Sequence, residues 1–206
     1  MADVVRLIVG LGNPGAQYAG TRHNAGAEFV ESVARAQGAS LRSEKKFHGA
    51  TGRVTVGGRD VRLLVPETFY NASGTAAQAV LQFYRIAPAE LLVVHDELDL
   101  PPGVARLKRG GGHGGNNGLR DILRVLGGEA GFARLRLGVG HPGEKSRVTG
   151  YLLTRAPATE RDALDEAIYE SLRVLPELVA GEWERATTAL HTRTRAAAGR
   201  GDGDES

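Results

Sequence analysis

The sequence predicts an α/β fold: a single domain with a central mixed, mostly parallel twisted sheet flanked by helices. Three observations carry that expectation. Short, apolar, β-branched runs at 4–9 and 91–94 have the character of strands buried on both faces. Segments 25–37 and 71–86, which lie between them, repeat apolar residues at helical spacing, so strands alternate with helices. Segments 53–56 and 60–65 flank Gly57-Gly58, a two-residue hairpin signal that makes one strand pair antiparallel and the sheet mixed.

The 206 residues, 41% of them hydrophobic, can bury one substantial core, and no pattern suggests two similar domains. Residues 1–193 are expected to form the domain. Residues 194–206, which end in AAAGRGDGDES, are expected as a disordered tail with too few apolar residues to fold. The apolar run 4–9 follows Asp3 and contains Arg6, which makes it too short and too polar for a signal or spanning helix. A cytoplasmic location is expected. No cysteine is present, which excludes disulfides, zinc-thiolate sites and a thiol nucleophile. The net charge of +2 permits an acidic partner without demanding one.

Each element follows from local pattern. Val4-Val5-Arg6-Leu7-Ile8-Val9 reads as a central strand that delivers its next residues to one edge of the sheet. The amphipathic stretch 25–37 ends at Gly38, and the hairpin strands come next. The second helix, 71–86, aligns Ala76, Ala77, Val80, Leu81 and Tyr84 and stops before Pro88, because a residue preceding proline is driven out of helical geometry. The strand 91–94 runs into His95-Asp96-Glu97, polar residues that suggest a site at its end, and 104–107 is a shorter strand candidate. The glycine run 110–118 is broken only by His113, Asn116 and Asn117; it permits close backbone approach or movement and leads into helix 119–126. Residues 134–139 alternate like a half-buried strand, and a long helical region from about Thr159 is interrupted by Pro176 and Gly181.

The most informative stretch is VGLGNPGAQYAGTRHNAG, residues 9–26, which sets Asn13, Tyr18 and His23 around a glycine-proline turn directly after the first strand. Gly10-Leu11-Gly12-Asn13-Pro14-Gly15 satisfies G-x-G-x-x-G, the dinucleotide-binding pattern. Such a turn begins its helix within the glycines so that free amides meet the pyrophosphate. Here Pro14 removes one amide and the helical pattern starts well downstream. The strand 53–56 also runs into glycines instead of ending on an acid that could hold a ribose. The dinucleotide reading is set aside on those grounds.

Four segments in this order and spacing resemble one family, the bacterial-type peptidyl-tRNA hydrolases. They are VGLGNPGAQYAGTRHNAG (9–26), RLLVPETFYNASG (62–74), VVHDELDLPPGVARLKRGGGHGGNNGLRDI (93–122) and RLRLGVGHPG (134–143), and they cover most of the first 150 residues. The resemblance implies an α/β domain with a mixed sheet, monomeric and cytoplasmic, acting without metal or organic cofactor. It implies hydrolysis of the ester joining peptide to tRNA, releasing free peptide and reusable tRNA. It also implies that His23, Asn13, Tyr18, Asn71, Asp96 and Asn117 line the site, while Lys108 and Arg136 match positions linked to tRNA phosphate binding. The chain departs from the family pattern twice. Tyr70 stands where methionine is usual and is expected to give the peptide-binding groove a rigid ring with a hydroxyl. Asn116 stands where histidine is common, which puts any role of a histidine there in doubt; His113 is not expected to assume it.

The chemistry of these residue types fits ester hydrolysis. A base able to take a proton from water near neutral pH is needed, and an unperturbed imidazole, with a pKa of about 6.5, meets that need, so His23 is the candidate. A carboxylate on the other ring nitrogen fixes the tautomer and stabilises the imidazolium, a role open to Asp96. No G-x-S-x-G elbow occurs and Ser73 lacks its context, so water is the expected nucleophile. Asparagine amides donate and accept, which suits Asn13, Asn71 and Asn117 to a peptide backbone, a positioned water or an oxyanion.

Ordinary alternatives accompany each residue. Asn13 could simply suit the turn before Pro14, Asn71 could cap the second helix and Asn117 the third. His23 and Tyr18 could be packing residues, and Lys108 and Arg136 solvated charges. Against a metal at Asp96 with His95, Glu97 and Asp99 stands strand alternation, which scatters such ligands over two faces. A non-catalytic RNA-binding module is the rival from another class, but five Phe, five Tyr and one Trp give no aromatic strand signature of a base-stacking platform. A peptidase or small-ester hydrolase is the third.

Overall fold

The computed structural model describes residues 4–198. Its seven strands are β1 (Leu7–Gly10), β2 (Arg42–Glu44), β3 (Gly49–Val56), β4 (Arg59–Pro66), β5 (Leu91–Glu97), β6 (Ala105–Arg109) and β7 (Ala133–Gly138), and they form one sheet in the order β2-β3-β4-β1-β5-β7-β6. The helices are α1 (Ala25–Ala36), α2 (Ser73–Tyr84), α3 (Asn117–Val125), α4 (Val148–Leu152), α5 (Ala158–Arg173), α6 (Leu175–Val179) and α7 (Trp183–Ala198).

The α/β class, the mixed sheet and the flanking helices are as the sequence predicts. β1 pairs in parallel with β4 and β5, and β5 with β7, while β2–β3, β3–β4 and β6–β7 are antiparallel. Three of the six pairings are thus parallel, and five of the seven strands, β1, β2, β4, β5 and β7, run in one direction. The two strands that run the other way are β3 and β6: Gly57 and Gly58, both at positive φ, fold β4 back on β3, and the turn at 98–104 sends β6 back antiparallel to β7. The C-terminal helix differs from expectation. α7 continues through the buried Thr194 to Ala198, so the proposed tail boundary at 194 falls inside a helix, and residues 199–206 lie outside the described residues.

Two apolar layers hold the sheet. On one face, Ile8, Leu92, Val94 and Leu135 pack against Phe29 and Val30 of α1, Leu164 of α5 and Leu190 of α7. On the other, Leu7, Val9, Leu91 and Val93 pack against Ala76, Ala77 and Val80 of α2 and Leu119 and Ile122 of α3. Each fully buried Leu, Ile or Phe contributes about 1.5–3 kcal/mol. Because α1 lies on one face and α2 on the other, the chains leaving β1 and β4 diverge and open a crevice at the carboxyl ends of the central strands. Two glycines bring α1 down to its floor. A Cβ at Gly26 would stand 2.1 Å from the Val94 carbonyl oxygen, and one at Gly10 would stand 2.2 Å from that of Gly26. Alanine at either position would push the start of α1, and the turn before it, away from β5.

Candidate active site

The chain leaving β1 keeps Leu11 and Gly12 buried, turns at Gly15 with φ 106°, and reaches α1 through two 3-10 turns, Ala16–Tyr18 and Arg22–Asn24. The helix therefore begins at Ala25, well beyond Gly15, the last glycine of the G-x-G-x-x-G pattern, in agreement with rejection of a dinucleotide turn. The second 3-10 turn holds His23 over the end of β5. Its Nδ1 lies 2.9 Å from Oδ2 of Asp96, whose side chain is only 2% exposed against 15% for His23. With a carboxylate as partner, Nδ1 donates, and Nε2 is left as the basic nitrogen of the neutral ring.

The second carboxylate oxygen is also engaged. The Tyr70 hydroxyl donates to Asp96 Oδ1 at 2.9 Å, and the Tyr70 ring stacks on His23 with centroids 3.5 Å apart and planes 14° from parallel. Asn116 Nδ2 in turn donates to the Tyr70 hydroxyl at 2.8 Å. Burial, then the charge of Asp96, pushes the Tyr70 phenol well above its ordinary value, so it remains a donor throughout the neutral range. Asn13 completes the group: its Oδ1 accepts from the Tyr70 amide at 2.8 Å, which points its Nδ2 away from that amide. Asn24 clamps Asn13 from behind, accepting from the Asn13 amide at 2.8 Å and donating to its carbonyl at 3.0 Å.

Hydrolysis of an activated carbonyl by water is within reach of this set: a histidine held by a carboxylate, and asparagine amides beside it. Ser73 does not compete as a nucleophile, because its buried hydroxyl donates to the Tyr70 carbonyl at 2.6 Å. Among the described residues no group of three or more His, Cys, Asp or Glu side chains is gathered as a metal would require. A family model described as peptidyl-tRNA hydrolase matches residues 7–198. The chain belongs to the peptidyl-tRNA hydrolase family. It is 59% identical over 189 residues to a peptidyl-tRNA hydrolase of Pseudomonas savastanoi pv. phaseolicola, covering 92% of this chain and 97% of the relative. Against that of Pseudomonas aeruginosa the identity is 58% with the same coverage. The crystal structure of peptidyl-tRNA hydrolase from Acinetobacter baumannii superposes with a TM-score of 0.89 at 50% identity, covering 93% of this chain and 96% of that one. The protein is accordingly an enzyme that hydrolyses peptidyl-tRNA at its ester bond.

With peptidyl-tRNA as substrate, the remaining candidates can be placed. Asn71 follows Tyr70 in the 3-10 turn Tyr70–Ala72 and is exposed, as is Asn117, the first residue of α3. Neither caps a helix. Ala72 occupies the N-cap of α2, and Asn116 caps α3 by accepting from the Leu119 amide at 3.0 Å. Tyr18 is half-buried and ends the first 3-10 turn, with its carbonyl accepting from Thr21. Tyr70 departs from expectation. At 3% exposure it is no open wall of a peptide groove, because Gly118 at the start of α3 lets that helix close on its ring.

The basic candidates lie on β6 and β7. Lys108 is exposed and pairs across the ladder with Arg134, and its ammonium lies against Gly111 of the glycine run. Arg136 is not a simple cation, since its guanidinium donates to Glu97 at 3.4 Å. The glycine run is itself anchored from beneath: Arg134, 2% exposed, donates to the carbonyls of Gly112 and Gly111, both at 2.5 Å. Burial, then the neighbouring Arg136, pushes the Arg134 guanidinium below its ordinary value. Three contributors were missed by sequence reasoning: Asn24, Arg134 and Arg22. Arg22, 6% exposed, donates to the Tyr151 carbonyl at 3.0 Å and to Glu160 at 3.0 Å, and so ties the His23 turn to α4 and α5. A polar pair next to His23 in the 9–26 run was the available signal for Arg22 and Asn24.

Proposed function

We propose that His23 is the general base of peptidyl-tRNA hydrolysis and that Asp96 orients it. The observation that carries this reading is the 2.9 Å contact between His23 Nδ1 and the buried Asp96 carboxylate. Water attacks the peptide carbonyl as His23 Nε2 takes its proton, and Asp96 stabilises the imidazolium. The Nδ2 of Asn13, oriented by the Tyr70 amide, donates to the developing oxyanion, with Asn71 and Asn117 at the mouth meeting the peptide backbone and Tyr18 contributing to the substrate side. Collapse of the tetrahedral intermediate expels the ribose oxygen, which takes the proton from His23. The products are peptide with a free carboxyl and tRNA with a free terminal hydroxyl. No step in this scheme requires a metal or an organic cofactor.

Lys108 and Arg136 hold tRNA phosphate, helped by the backbone amides where the glycine run enters α3. A monomer acting in the cytoplasm, where peptidyl-tRNA is made, is the form proposed. The exposed large apolar side chains Phe69, Phe83, Leu153 and Tyr169 sit on four separate segments of the chain, and no helix among the described residues is long and apolar enough to cross a membrane. The test is His23→Ala on N-acyl-aminoacyl-tRNA: turnover falls by about 10²–10⁴-fold while tRNA binding is kept. Near-normal turnover in the folded variant overturns the assignment.

A further inference from the structure

We propose that Tyr70 and Asn116 act together as positioning residues that fix the direction of the Asp96–His23 hydrogen bond. This rests on the proposed roles of His23 and Asp96. The two residues touch each other, and the polarity of the chain they form follows from a single backbone group. The Leu119 amide donates to Asn116 Oδ1 at 3.0 Å, so the other end of the Asn116 amide must be the donor. Its Nδ2 therefore donates to the Tyr70 oxygen, 2.8 Å away. The hydroxyl, already accepting, has one proton to place, and it goes to Asp96 Oδ1 at 2.9 Å. Asp96 is left with one free oxygen, Oδ2, and that oxygen faces His23 Nδ1.

The arrangement does two things at once. It holds both oxygens of a buried carboxylate in charge-assisted hydrogen bonds, so the carboxylate cannot rotate away from the imidazole. It also lays the Tyr70 ring flat against His23, which fixes the imidazole plane. The phenol suits the task because burial and Asp96 keep it protonated. Gly118, where a Cβ would stand 2.7 Å from the ring, and Asn13, which accepts from the Tyr70 amide, hold the tyrosine in place from both sides. The hydroxyl's proton spreads the charge of Asp96 and moderates its hold on the imidazolium, so its removal makes the imidazolium harder to discharge.

The experiment compares Tyr70→Phe, Asn116→Asp and the double variant, each with intact fold by circular dichroism, using kcat and KM on N-acyl-aminoacyl-tRNA from pH 5 to 9. Tyr70→Phe keeps the stack and loses the hydroxyl. Its kcat/KM profile is expected to shift its acidic limb upward by roughly 0.5–1 pH unit, with KM unchanged. Asn116→Asp keeps the oxygen that caps α3 but replaces the donor with an acceptor, which competes with Asp96 for the Tyr70 proton. It is expected to lower kcat when Tyr70 is intact and to have a smaller effect when combined with Tyr70→Phe. An unmoved acidic limb in folded Tyr70→Phe, or an Asn116→Asp effect that is the same with and without Tyr70→Phe, overturns the proposal. His23→Ala run in parallel separates the two failures: if it stays active, the general-base reading has failed, whereas an inactive His23→Ala beside a wild-type-like Tyr70→Phe condemns the positioning pair alone.

Discussion

Asp96→Asn is the substitution whose outcome the structure constrains most tightly. Both carboxylate oxygens accept, Oδ2 from His23 and Oδ1 from Tyr70, whereas an amide offers one acceptor and one donor. If the amide oxygen faces His23, the tautomer is kept but the negative charge that stabilises the imidazolium is gone. Loss of one charge-assisted hydrogen bond, about 1.5–3 kcal/mol, corresponds to a fall in kcat of roughly 10–150-fold. If instead the NH2 group faces His23, Nδ1 must accept, the proton moves to Nε2, and the ring cannot act as a base; the comparable tautomer error in a serine protease triad costs about 10⁴-fold. In the first orientation the NH2 group points at a tyrosine oxygen that already accepts from Asn116, so the Tyr70 proton loses its acceptor; the second gives Tyr70 its acceptor back. The local network therefore favours the damaging flip, and the expected loss is nearer the upper figure. Turnover of N-acyl-aminoacyl-tRNA under saturating substrate measures kcat, and tRNA binding by the variant checks that the fold and the phosphate contacts survive. A kcat within about threefold of wild type would refute the orienting role, since even the milder orientation requires more than that.

Further outcomes follow from other parts of the molecule. Lys108→Ala is expected to raise KM for full-length substrate, to leave kcat unchanged, and to flatten the salt dependence of tRNA binding by about one unit of log-log slope, since one fewer counterion is released. Arg136→Ala is expected to raise KM further, because it also uncovers the Glu97 carboxylate it now pairs with; unchanged affinity and salt slope in both variants would make them ordinary surface charges. His95 gives a pH effect on stability. It is buried, its Nδ1 donates to the Asp96 carbonyl at 2.8 Å, and burial pushes its pKa below the ordinary value. The folded state thus resists a proton that the unfolded state accepts: stability from this group is complete above about pH 6.5 and is lost as the pH falls through that value toward the folded pKa, at up to about 1.4 kcal/mol per unit. Urea unfolding at pH 7, 6 and 5 is expected to show the gap between wild type and His95→Asn narrowing with acid, and parallel curves would contradict it.

Much of the frame was legible because it rests on local pattern. The first strand, the start of α1 at Ala25, the Gly57-Gly58 hairpin and the end of α2 before Pro88 all follow from periodicity and from what glycine and proline do to a backbone. β2 was not legible, since Arg42-Ser43-Glu44 carries no apolar alternation and is a strand only because the edge of β3 offers hydrogen-bond partners. The five-residue α4 is too short for a periodic signal to emerge. The tail boundary was misplaced for a related reason. Thr194 is polar, yet it is buried because its hydroxyl donates to carbonyls at Ala105 and Leu190, a destination that lies 89 residues away in one case.

The site divides along the same line. His23, Asp96 and Asn13 could be named because the four segments that carry the family resemblance include them and their side-chain chemistry suits ester hydrolysis, and the structure brings His23 onto Asp96 and Asn13 onto the Tyr70 amide beside them. What sequence could not reveal is which polar side chains face the substrate and which serve other side chains. Asn116 and Asn117 are neighbours of one type, yet the first is consumed at both ends, by the Leu119 amide and the Tyr70 hydroxyl, while the second is exposed. The difference arises because α3 starts between them, and a cap residue turns its side chain back toward the helix while the next residue starts the first turn. The same logic separates Lys108 from Arg134. They are opposite each other on adjacent strands, but the lysine is at the surface and the arginine beneath the glycine run, where its guanidinium donates to the Gly111 and Gly112 carbonyls. A buried cation bound to backbone oxygens holds that loop in place, and the loop in turn delivers Asn116 to Tyr70. The glycine run, read from sequence as permitting close backbone approach or movement, is held on the side that faces Arg134 by two hydrogen bonds from that guanidinium.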